Sequence, residues 1–137
     1  TVVLSKRATG YGGVIAIEHT ISDKRIIAIY GHLDPKSLPT VGTSVKMGNK
    51  IGILGDGETQ ETDGERKHLH FGLSISLGVD IRGYVQQKEE LAGWLNPLEV
   101  LGFEKKMENC EKGPFLSEVK DVNVIWEESL EEIYDTS

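Results

Sequence analysis

Apolar residues in this chain fall in short, separated runs rather than at the three-and-four spacing of an amphipathic helix, and many of them are β-branched. Runs of this kind, bounded by turn-forming residues, predict strands. The candidates cover residues 2–4, 13–19, 25–32, 44–46, 50–54 and, the longest, 68–76. In Val14-Ile15-Ala16-Ile17 and Ile26-Ile27-Ala28-Ile29 the run is unbroken. Both faces of those two strands should therefore be covered, as in the middle of a sandwich or closed barrel. The link between them, residues 20–24, contains Ser22-Asp23 and is short enough for a hairpin, so the two are expected to be neighbours. Helix signals are few. Asn96-Pro97-Leu98-Glu99 has an N-cap residue, a proline suited to the first turn, and a glutamate able to reach back to the cap amide. Residues 86–92 are good helix formers but too few to stand alone, and Gly93 should end them. The expectation is a mostly β fold: an antiparallel sheet or open barrel-like hybrid fold with an open groove and short C-terminal helices.

Composition narrows this picture. With 137 residues, 38% of them hydrophobic and 27% charged, the chain has the size and make-up of one soluble globular domain. No apolar run is long enough for a membrane span, and no signal-peptide pattern opens the sequence. The net charge of -7 argues against a nucleic-acid binder, which needs a basic surface. That charge is unevenly spread, because residues 104–137 hold ten acids against four lysines. A β domain over residues 1–103 and an acidic C-terminal extension over 104–137 are therefore expected. Val122, Val124 and Trp126 alternate within a possible strand over 119–126. The extension reads either as a solvated tail or as an element that docks on a protein partner. The single cysteine, Cys110, excludes an internal disulfide and a cysteine-rich zinc site.

Candidate chemistry rests on the four histidines. In His68-Leu69-His70, residues at i and i+2 of a strand project from one face, so two imidazoles aim at one point while Leu69, Phe71 and Leu73 face the core. Such a pair suits metal or acid–base work, or is a surface pair. Tyr30-Gly31-His32-Leu33 puts a second histidine at a strand end beside a glycine, open to a cleft or bonded to a turn. Tyr30 should share its face, steadying the site through its hydroxyl or merely packing. His19 reads as a structural histidine at a strand end. The glycines between Val41 and Gly55 mark turns and bulges; no helix or Gly-Lys-Ser/Thr follows them, which argues against a phosphate cradle. The acids between Asp56 and Lys67 read as a solvated loop.

In order along the chain, Gly10-Tyr11-Gly12-Gly13-Val14, Ile17-Glu18-His19, Tyr30-Gly31-His32-Leu33, Val41-Gly42, Gly48 to Gly55, His68-Leu69-His70-Phe71 and Asn96-Pro97-Leu98 resemble the M23 zinc metallopeptidases, the lysostaphin-type or LytM-type peptidoglycan endopeptidases. The resemblance spans about residues 1–101. It implies a zinc-dependent endopeptidase acting on cell-wall peptides outside the cytoplasm, periplasmic, envelope-bound or secreted. It assigns His70 as a Zn2+ ligand and His32 and His68 to catalysis, with no choice between the two for the general base. The family takes two further ligands, a His and an Asp four residues later, from an upstream segment. No such HxxxD precedes Gly10. The expectation is a piece of a longer peptidase, inactive alone and binding zinc weakly. The alternatives are a degenerate relative that binds cell wall or a partner without turnover, and a histidine phosphocarrier of hybrid-barrel fold that relays a phosphoryl group between His32 and His68.

Overall fold

The computed structural model describes residues 1–82 and 86–101. They form one five-stranded antiparallel sheet in which spatial order follows chain order: β1 (Val2–Ala8), β2 (Gly12–Ile21), β3 (Lys24–Leu33), β4 (His70–Ser74) and β5 (Trp94–Leu95). The expected mostly β, antiparallel and open architecture is the observed one. The sheet is not closed on itself, so the two continuous apolar runs owe their burial to what lies on each face. Val14, Ile15, Ala16 and Ile17 of β2 and Ile27, Ala28 and Ile29 of β3 are all 2% exposed or less. On one face Val14, Ala16, Ile27 and Ile29 pack with Tyr11, Val79, Ile81 and Trp94. On the other, Ile15, Ile17 and Leu33 meet Leu38, Val45, Ile51, Leu54 and Leu69. Beside them, Ile26, Ala28 and Leu73 meet Phe71 and Leu95. Long excursions between strands act as lids on both sides, and hydrophobic burial holds them there.

The β2–β3 link is the expected hairpin. Ile21 pairs with Lys24, leaving a two-residue loop, Ser22-Asp23, in which both residues have positive φ (49° and 61°). That is the left-handed loop whose twist matches the flanking strands. β1 is longer than its apolar stretch, because Ser5, Lys6, Arg7 and Ala8 pair with β2; charged residues are tolerated on an edge strand, where one side faces water. At its start the outer side is occupied: Val2 N–H donates to the Thr43 carbonyl at 2.9 Å and the Val2 carbonyl accepts from Gly42 N–H at 2.8 Å.

Two expected strands do not form. Residues 44–46 and 50–54 are irregular apart from one bridge between Leu33 and Leu54. Their apolar residues still cover the sheet, but their polar backbone is satisfied locally. Lys46 N–H donates to the Asn49 side chain, Ile53 N–H donates to Ser37 Oγ, and the Ile53 carbonyl accepts from Asp34 N–H. With those partners no ladder is needed. The longest expected strand is also trimmed, to His70–Ser74, because β3 leaves the ladder after Gly31 and offers no partner beyond His70.

Near the end of the described chain, residues 88–93 form a 3-10 turn that stops at Gly93 rather than an α-helix. The helix α1 (Pro97–Leu101) starts where predicted, with the Asn96 side chain accepting from Leu98 N–H at 3.0 Å. No helix of the described residues is long and apolar enough to cross a membrane. The possible strand over 119–126, Cys110 and the rest of the acidic extension lie outside the described residues.

Ile29 is 1% exposed in the middle of β3 and packs in one cluster with Tyr11, Val14, Ala16 and Ile27. Ile29→Ala is expected to lower unfolding free energy by about 2–5 kcal/mol, read from a shifted denaturant midpoint at unchanged slope. A loss below about 0.5 kcal/mol would mean that this face is not the core.

Candidate active site

Three of the four histidines meet where the ends of β3 and β4 approach the turn between β1 and β2. The ring of His32 lies 4.4 Å from that of His68 and 5.9 Å from that of His70, centre to centre. Tyr11, from the turn, completes the group. Its ring stands edge-on to His70 at 4.8 Å and stacks towards His32 at 5.9 Å, with its hydroxyl 3.3 Å from His70 Nε2. His32, His68 and His70, drawn from two distant parts of the sequence, are thus neighbours. His19 is elsewhere, paired with Ile26 in the β2–β3 ladder. Partial burial, and then the N-terminal charge, hold its imidazole below the usual pKa.

His32 occupies its position against the preference of its own backbone. Its φ is +59°, a conformation uncommon for residues other than glycine. Three bonds hold it there. Its N–H donates to the Tyr11 carbonyl at 2.8 Å, its carbonyl accepts from Gly55 N–H at 2.8 Å, and its Nδ1 lies 2.8 Å from the Glu61 carbonyl oxygen. A carbonyl can only accept, so Nδ1 carries the hydrogen and the neutral ring has its lone pair on Nε2. His68 repeats the device, with Nδ1 at 2.6 Å from the Arg66 carbonyl oxygen. Both rings are buried, 4% and 6% exposed, and His70 is half-buried. Two adjacent imidazoles held with Nε2 as the basic atom can accept and return a proton.

The positive φ also corrects the expectation for Tyr30. Strict alternation would put Tyr30 on the face of His32, but the left-handed residue breaks the alternation. Tyr30 instead packs against Phe71, with ring centres 5.1 Å apart, among Ala28 and Leu73. Burial there pushes its phenol pKa up. The aromatic hydroxyl at the site belongs to Tyr11, which was legible only as a member of a glycine-rich turn. Leu69, Phe71 and Leu73 do face the core as expected. His68 lies two residues ahead of β4, outside the ladder.

The acidic stretch 56–67 is more than a solvated loop. Glu58, Asp63 and Glu65 are exposed, but Thr62 is fully buried and Glu61 is wedged between Gly12 and Gly55. A methyl group on either glycine would collide with Glu61, and one on Gly31 would collide with the Tyr11 ring. These three glycines give the loop and the tyrosine their close approach. Glu61 contributes through its backbone carbonyl, so no side-chain pattern could have pointed to it. Beside the loop, a cavity of about 600 Å³ is lined by Arg7, Asp34, Lys36, Asp56, Glu61 and Lys67 among others, and none of the three histidines is in its wall.

A hydrolytic zinc takes three protein donors. Among the described residues no group of three or more His, Cys, Asp or Glu side chains is arranged to hold a metal ion. The described residues therefore do not by themselves fit a complete zinc centre. In comparison with known proteins, the model of Peptidase family M23 matches residues 1–87, more than half of the chain. No curated protein and no solved structure matches.

Gly31→Ala should overpack the site. The added methyl meets the Tyr11 ring and crowds His70 Cβ, so a stability loss of about 1–3 kcal/mol is expected, together with loss of the Tyr11–His70 ring-to-ring nuclear Overhauser effect. A variant with full stability and that signal intact would show that Tyr11 does not sit over Gly31.

Proposed function

The chain belongs to peptidase family M23, and on that premise we propose that it is the sheet core of a zinc-dependent endopeptidase of the lysostaphin or LytM type, hydrolysing peptide bonds in peptidoglycan. The observation that carries this reading is the convergence of His32, His68 and His70, with the first two held by carbonyls at Nδ1. Amide hydrolysis needs a proton taken from attacking water, stabilisation of the oxyanion, and a proton returned to the leaving amine. His32 and His68 divide these tasks, each acting through Nε2. Their separation allows both rings to reach one reacting carbonyl.

His70 is the metal donor in this reading, and Tyr11 orients it through its hydroxyl, 3.3 Å from Nε2. A zinc ion held in part by His70 would supply Lewis-acid chemistry toward the scissile carbonyl. Its remaining donors come from outside the described residues, and this stretch alone is inactive. The cavity beside residues 56–67 takes the flanking part of the peptide substrate. A cell-wall substrate sets the place of action outside the cytoplasm, in the periplasm, on the envelope or as a secreted enzyme.

The test is hydrolysis of isolated peptidoglycan by the full-length protein, followed as newly released amino groups. Activity should stop with a chelator and return with zinc. His32→Ala and His68→Ala should each lower kcat/KM by about 10²–10⁴ while the fold persists. Chelator-indifferent labelling of His32 or His68 by a phosphohistidine donor, without hydrolysis, would make the protein a phosphocarrier. Binding to sacculi without turnover would make it a noncatalytic module.

A second outcome concerns the metal. Calorimetric zinc titration of the 137-residue chain should give only weak binding, because one assigned imidazole cannot satisfy the ion. Tight one-to-one binding would mean that the donors are within this chain and that the assignment of His70 as the lone contributor is wrong.

A further inference from the structure

Residues 56–65 are knotted by their own hydroxyls. Thr62 Oγ1 donates to the Asp56 carbonyl at 3.1 Å, lies 3.4 Å from the Thr59 carbonyl oxygen, and is approached by Thr59 N–H at 3.4 Å. Thr59 Oγ1 in turn stands 2.6 Å from both the Asp56 carbonyl and Glu61 Oε2. Backbone bonds from Gly64 to Thr59, from Glu65 to Thr62 and from Glu58 to Glu65 tighten the same turn. Thr62 has no exposed surface at all, so its hydroxyl is a buried polar group whose whole hydrogen-bonding capacity is spent inside the loop. The residue next to it, Glu61, is the one whose carbonyl meets His32 Nδ1.

We propose that Thr62 is a positioning residue for His32. By crosslinking the 56–65 turn through its hydroxyl, it sets the Glu61 carbonyl on Nδ1 and so fixes both the orientation of the imidazole and its Nε2-basic tautomer. The tautomer of a histidine follows the bond that its other nitrogen makes. A carbonyl on a loosened loop would leave the ring free to turn and to populate the other tautomer. His68 is an internal control, because its carbonyl comes from Arg66, just beyond the knot. Thr62 reaches no reacting group itself. This inference rests on the proposed use of Nε2 of His32 only for its effect on rate; the effect on the ring stands apart from any activity.

Thr62→Val keeps the shape and removes the hydroxyl, and Thr62→Ser restores it. In the full-length protein, side-chain ¹⁵N correlation spectra of the neutral histidines should give His32 in the Nδ1–H form in the wild type and in Thr62→Ser. In Thr62→Val a mixture of tautomers is expected, with His68 unchanged. On peptidoglycan, kcat should fall on the order of 10- to 100-fold with KM little altered, and serine should recover it. If Thr62→Val does not fold, Thr59→Ala removes the outer hydroxyl of the same knot at a half-exposed position, and the same spectral change is expected there. A folded Thr62→Val whose His32 tautomer matches wild type overturns the proposal, as does an equal disturbance of His68. A spectral change in a protein with no hydrolysis upholds it and sinks only the peptidase reading.

Discussion

The left-handed backbone of His32 is the constraint on which the site depends. A non-glycine residue in that region costs of order 1–3 kcal/mol, and it persists only where its surroundings over-determine it. Here the surroundings come from three separate stretches: Tyr11 from the first turn, Gly55 from the excursion after β3, and Glu61 from the loop ahead of β4. In return, the reversed φ turns the imidazole out of the face where Tyr30 packs and towards His68 and His70. The same residue ends the β3–β4 ladder at Gly31↔His70, so strain, strand length and the meeting of the histidines have one cause.

Small residues make that arrangement sterically possible. Gly12 and Gly55 flank Glu61, Gly31 underlies Tyr11, and Gly72 underlies Trp94. The ring of Tyr11 thereby serves twice, closing one hydrophobic cluster at 9% exposure and presenting its hydroxyl to His70. The core and the site are one packing problem on this face of the sheet.

Much of the scaffold was legible in the chain because it depends on local rules. Unbroken β-branched runs marked β2 and β3, Ser22-Asp23 marked their hairpin, and Asn96-Pro97 marked the start of α1. The histidines were legible as residue types at telling spacings, and their meeting is what the fold supplies. Residues 44–46 and 50–54 misled because apolar content signals burial and not pairing; they cover the sheet while their amides bond to Asn49 and Ser37. Tyr30 misled because alternation assumes extended backbone at every residue. Glu61 was invisible because a backbone carbonyl has no side-chain signature, and Thr62 because a buried threonine within an acidic run looks like its solvated neighbours.

The order of strands has a consequence for how the molecule comes together. β1, β2 and β3 are joined by tight reversals, so their pairing closes only small rings of chain and loses little conformational freedom. β4 can dock on β3 only after residues 34–69 have been gathered, and those same residues carry Gly55, Glu61, Arg66 and His68. The three-stranded meander is accordingly the part of the sheet that costs least to close, and the histidine cluster depends on closing one long detour.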